Sequence, residues 1–164
     1  MLSSTVKRVV LYRFDRQPLQ GIVNPASYLG LDRVEFITLD GNLQTPAYGE
    51  VKAVCFVSDA GRTDLFDDHS LIERRPKVAG LWTRFTFRDG DQLDGVLPRN
   101  LLEWPRAGYL LTPPHSGASR QRVFVPRAAL SLTELRGVVG RAGGPTARSR
   151  PAVARDLDQL TMFD

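Results

Sequence analysis

The segment Leu81–Leu97, LWTRFTFRDGDQLDGVL, decides how the fold is read. Thr83, Phe85 and Phe87 alternate with Arg84, Thr86 and Arg88, which gives an extended strand one apolar face and one wet face. The dipeptide Asp89-Gly90 is a hairpin turn signal, and the chain becomes apolar again beyond it at Leu93, Val96 and Leu97. The period is two, so the stretch predicts a β-hairpin.

Working outward, the same outline recurs in Lys7–Val23, KRVVLYRFDRQPLQGIV, with a turn expected near Asp15 to Gln17. Asp15, Leu19 and Gly21 fall on Asp89, Leu93 and Gly95, and LQGIV meets LDGVL without a gap. VEFITLDGNLQTPAY supplies another strand pair hinged on Asp40-Gly41. Later, YGEVKAVCF falls on RAALSLTEL, so that Val51, Ala53 and Phe56 meet Leu130, Leu132 and Leu135. The chain therefore reads as a duplicated all-β protein. A glycine inside a strand permits a sharp bend or the close approach of another backbone, and Gly21 and Gly95 are the candidates for it.

This gives five segments. Residues 1–60 are the first unit, 61–79 a connector containing Pro76, and 80–139 the second unit. Residues 140–155, GRAGGPTARSRPAVAR, carry four Arg, three Gly and two Pro with no acid, the composition of a flexible basic linker. Residues 156–164, DLDQLTMFD, then return to apolar side chains, which a disordered tail has no reason to carry unless a partner takes them.

Composition sets the outer bounds. The 164 residues are 42% apolar, enough for a packed core. A single cysteine, Cys55, sits in the apolar run VKAVCFV and excludes a disulfide scaffold. No stretch has the length of a signal peptide's apolar region or of a membrane helix, so a soluble cytoplasmic protein without membrane attachment is expected. The formal net charge of +4 favours acidic partners only mildly.

The two units resemble a bacterial family of tandem Sm-like small β-barrels, on the phrases TFRDGDQLDGVL and RVFVPRAAL and over Val6 to about Val139. The resemblance implies two Sm-like barrel units and no particular activity. Sm-like proteins commonly bind RNA, which makes Arg120, Arg122 and Arg127 in SRQRVFVPR the candidate nucleic-acid contacts, with a solvated strand edge as their other reading. Trp82 and Trp104 could stack on bases, although core or rim packing explains both.

The pentapeptide Gln159-Leu160-Thr161-Met162-Phe163 resembles the bacterial sliding-clamp-binding motif, Gln-Leu-Ser/Asp-Leu-Phe. The resemblance implies that the Gln159 amide bonds at the rim of a clamp pocket, Leu160 fills a subsite, and Met162 and Phe163 enter a deep apolar groove. Its partner would be the DNA polymerase sliding clamp (beta clamp), with DNA or RNA as a further partner of the folded part.

Enzyme constellations are missing from the sequence. His69 and His115 have no metal-ligand spacing to a second His or Cys, and no phosphate-binding Gly-rich loop or Gly-x-Ser-x-Gly elbow occurs. FDDH, Phe66 to His69, reads as a connector turn. Asp89, Asp91 and Asp94 read as turn chemistry, because the glycine and distant Glu of a calcium loop are not in place. The expectation is a non-enzymatic accessory or adaptor protein of DNA replication or repair, with no metal and no cofactor. An Sm-like RNA-binding post-transcriptional regulator is the alternative.

Overall fold

The computed structural model describes residues 6–57, 65–66, 70–113 and 122–140. The described chain is all-β. Its first five strands are β1 (Lys7–Arg13), β2 (Arg16–Val23), β3 (Phe36–Thr38), β4 (Leu43–Gln44) and β5 (Val51–Phe56). The second five are β6 (Gly80–Phe87), β7 (Gln92–Leu97), β8 (Gly108–Leu111), β9 (Arg122–Pro126) and β10 (Leu130–Val139). A 3-10 turn, Tyr48–Glu50 or Arg127–Ala129, leads directly into the last strand of each unit.

The two units pair their strands in the same register. Leu11 lies opposite Leu19 and Val9 opposite Gly21, as Phe85 lies opposite Leu93 and Thr83 opposite Gly95. In the first unit Leu11 faces Val54, Tyr12 faces Ala53 and Arg13 faces Val51, leaving Lys52 as a bulge. In the second, Phe85 faces Thr133, Thr86 faces Leu132 and Phe87 faces Leu130, leaving Ser131 as the matching bulge. Val51, Ala53 and Phe56 thus occupy the places of Leu130, Leu132 and Leu135.

Gly21 and Gly95 do the same work in their strands. A Cβ on Gly21 would clash with the carbonyl of Ile37 and lie 2.6 Å from the Phe36 ring, and one on Gly95 would meet the Leu111 side chain. The third strand of each unit crosses too close for any side chain there.

One sheet runs β4-β3-β2-β1-β5-β9-β8 and a second runs β10-β6-β7. A bridge between Val96 and Thr112 links β7 to β8, so the ten strands form one series, β4-β3-β2-β1-β5 followed by β9-β8-β7-β6-β10. Among the described residues the backbone ladder closes neither unit into a barrel.

The series encloses two cores. Val9, Leu11, Val34, Phe36, Val51 and Val54 fill the first, together with Phe124 from β9 of the second unit. Phe85, Phe87, Leu93 and Leu111 fill the second, joined by Val10, Tyr12, Ala53 and Cys55 from the opposite face of β1 and β5. Every residue of β5 is buried for this reason. Leu65 of the connector is buried in the second core and its N–H donates to the Tyr12 hydroxyl at 3.0 Å. The connector thus separates the units in sequence and helps to join them in packing.

Candidate functional site

The β1–β2 turn, the segment around β4 and the β6–β7 turn border a groove of about 640 Å³. Arg13, Arg16 and Arg88 line it together with Phe14, Gln44 and Glu50. Arg88 comes from the second unit but lies 4.0 Å over the Phe14 ring and donates to the carbonyls of Gly49 and Ala128, both at 2.9 Å. It braces the two units while one flank of its guanidinium borders the groove. Arg13 donates through Nη2 to the Gln17 carbonyl at 3.0 Å, and its buried Nε has no hydrogen-bond partner among the described residues. Three guanidinium groups against one carboxylate suit the groove to an anionic group such as phosphate. No short sequence pattern joins Arg13 and Arg16 to Arg88; the packing of Phe14 under Arg88 and the hydrogen bond from Arg88 to Gly49 bring them together.

Phe14 also faces Lys52, the bulged residue of β5. The buried Lys52 ammonium lies 4.2 Å from the centre of the Phe66 ring and donates to Asp89 at 2.7 Å and to Asp91. Burial alone would raise the pKa of the Asp89 carboxyl, but hydrogen bonds from Lys52 and from the Asp91 N–H, with the lysine charge, outweigh it and hold the group below the ordinary carboxylate range. A lysine from one unit is therefore neutralised by the turn of the other.

Asp94 is used elsewhere. Its fully buried carboxylate accepts from Arg84 at 2.7 and 3.0 Å, from the Trp82 indole at 3.2 Å and from the Ile72 N–H at 2.9 Å. The hydrogen bond to Asp94 raises the pKa of Arg84 and keeps the guanidinium charged. Asp89, Asp91 and Asp94 thus serve two separate protein cations. Among the described residues, no three His, Cys, Asp or Glu side chains come together to hold a metal ion.

Of the proposed nucleic-acid contacts, Arg120 lies outside the described residues. Arg122 is exposed at the start of β9 and borders a cleft of about 200 Å³ with Lys7, Pro25, Tyr28, Phe56 and Leu110. Burial pushes the Tyr28 hydroxyl well above its usual pKa, and the Arg122 charge pulls it part of the way back. Arg127 follows the other end of the strand, where it donates to the Arg106 carbonyl at 3.0 Å and lies over the Tyr109 ring. Five residues of chain separate the two by about 17 Å. Trp82 is held by Asp94, and Trp104 donates to the Pro98 carbonyl at 2.8 Å while packing edge-on to Tyr109. Cys55 is buried in the second core. His69, His115 and the residues Gln159, Leu160, Met162 and Phe163 lie outside the described residues.

The fold and these clusters define a two-unit all-β protein whose buried charges tie its halves together. A family model matches residues 5–137, nearly the whole described fold, and the chain belongs to that family, a family of unknown function (DUF6982). No curated protein and no solved structure matches the chain.

Proposed function

We propose that this protein is a non-enzymatic adaptor recruited to the bacterial DNA sliding clamp through Gln159, Leu160, Met162 and Phe163, in DNA replication or repair. The sequence QLTMF carries the reading: it sets a glutamine amide and three apolar side chains in the spacing of the clamp-binding motif, behind an Arg/Gly/Pro spacer. Burying three such side chains contributes roughly 1.5 to 3 kcal/mol each, and ordering the peptide offsets a large part of that. The expected affinity is micromolar, about −8 kcal/mol. A spacer of about 18 residues has a root-mean-square reach of roughly 24 Å, enough to hold the folded units beside the clamp.

The folded part is then the module that the tail delivers. Its two five-strand units, each with a glycine at a tight strand crossing, support reading them as tandem Sm-like units. The groove of Arg13, Arg16 and Arg88 gives that module a place for a phosphate backbone, so DNA near the clamp is the partner it suits. RNA is the alternative ligand of the same surface.

Titration of a labelled peptide spanning Ala152 to Asp164 into purified bacterial sliding clamp tests the reading. Micromolar binding that disappears with Met162→Ala and Phe163→Ala is the expected result. Absence of binding overturns clamp recruitment and leaves salt-dependent RNA binding by the folded part as the reading to test.

A further inference from the structure

The cleft of about 200 Å³ beside Arg122 opens at one end of the first core, whose Tyr28 and Phe56 line it. Val9, Phe56 and Arg122 stand in one row across β1, β5 and β9, and Lys7 lies two residues before Val9 on β1. Paired residues share a face of a sheet, as do residues two apart on one strand, so Lys7, Phe56 and Arg122 lie on the side that carries the first core. Two residues along and two strands across set the Lys7 and Arg122 backbones about 12 Å apart, within reach of two long side chains around one anion. No Asp or Glu is among the described residues that line the cleft, and neither cation makes an ion pair among the described residues.

Tyr28 adds an independent observation. It is 5% exposed, its ring packs edge-on against Phe56 and Phe124, and its hydroxyl makes no hydrogen bond among the described residues. Such a group is costly to leave unsatisfied. The Arg122 charge opposes the rise in its pKa that burial causes, so the hydroxyl lies within the field of that guanidinium. The cleft is not a product of the repeated strand plan either. In the second unit Leu81 takes the place of Lys7, and Leu135 that of Phe56.

We propose that this cleft binds a small aromatic carboxylate, with the ring against Phe56, Leu110 and Pro25 and the carboxylate between Lys7 and Arg122, accepting a hydrogen bond from the Tyr28 hydroxyl. The volume equals that of about seven waters, room for one ring, and lies below the roughly 300 Å³ at which pockets for drug-sized ligands begin. The aromatic wall favours a ring, and a single carboxylate answers both cations and the hydroxyl, taking two parallel bonds from the arginine fork. A nucleotide exceeds this volume, which separates the ligand from the phosphate backbone read for the groove of Arg13, Arg16 and Arg88.

Ligand-observed fluorine NMR of fluorophenylacetate with the full chain, at up to about 5 mM ligand, tests this. Saturable binding with a Kd below about 1 mM is expected, and fluorophenylacetamide, which has the same shape without the charge, should bind about tenfold more weakly. Arg122→Gln and Lys7→Gln, both at exposed positions, should each weaken binding by about fivefold. Tyr28→Phe removes an oxygen that has no partner among the described residues, so the fold should hold while binding weakens by about threefold. Arg16→Gln, in the other groove, should change nothing. Binding that does not saturate, that is equal for the amide, or that ignores the three cleft variants overturns the proposal. So does tighter binding of AMP than of fluorophenylacetate, or a loss that follows Arg16→Gln instead of Arg122→Gln.

Discussion

The seam between β5 and β9 and the edges of β10 and β4 that stay unpaired among the described residues are built from corresponding residues of the two units, yet they have opposite surroundings. Phe56 is 8% exposed and its counterpart Leu135 is 62% exposed; Ala53 is fully buried and Leu132 stands half in solvent. Val10 opposite Cys55, an apolar pair inside the second core, becomes Arg84 opposite Glu134. The backbone register is kept while the side chains have changed from core to surface character. The difference shows that strand order is set by the pattern shared by both copies, whereas burial is set by what the neighbouring unit covers.

The largest break in this comparison comes at Phe124, the residue that the second unit lends to the first core. Phe124→Ala should cost about 4 kcal/mol by cavity formation and lost packing against Tyr28 and Tyr48. Thr45→Ala, at the matching exposed place, should change stability by less than about 0.5 kcal/mol. Denaturant midpoints of the two variants check the contrast. Next comes Asp94, whose counterpart in the first unit is Gln20. Asp94→Ala strands the Arg84 charge together with the Trp82 and Ile72 donors and should cost about 3 kcal/mol, again read from the unfolding midpoint.

Much of the backbone plan was legible in the sequence because period-two alternation and Asp-Gly turns are local signals. The match of Gly21 to Gly95 and of Val51, Ala53 and Phe56 to Leu130, Leu132 and Leu135 is the match that the strand registers display. The sharing of cores was not legible. β1 carries the unbroken apolar run Val9-Val10-Leu11-Tyr12, but nothing local reveals that the unit covering Val10 and Tyr12 is the second one. The arginine groove was missed for the same reason, since Arg13 and Arg88 meet only through tertiary packing. Arg122 and Arg127 stand at the two ends of β9, and that Arg127 is held by the Arg106 carbonyl depends on tertiary packing that the phrase SRQRVFVPR does not show. The aspartates of the β6–β7 hairpin were read as turn chemistry, while their engagement with Lys52 and Arg84 depends on partners that no spacing rule connects.

Lys52 sharpens the comparison through pH. It fills the bulge that Ser131 fills in the second unit, but only Lys52 is clamped by carboxylates across the units. The Asp89 pKa is depressed in the folded chain, so its contribution is present above the unfolded value of about 4 and is lost as the pH falls through the lower folded value. Below that point Lys52 is left buried without the Asp89 charge. Lys52→Met keeps the contact with Phe66 and removes the dependence. The native chain should therefore lose about 1 kcal/mol relative to this variant between about pH 6 and pH 2, a small figure because both carboxylates are partly solvated. Thermal melts across that range would show it, and parallel acid profiles for the two proteins would mean that the clamp contributes nothing.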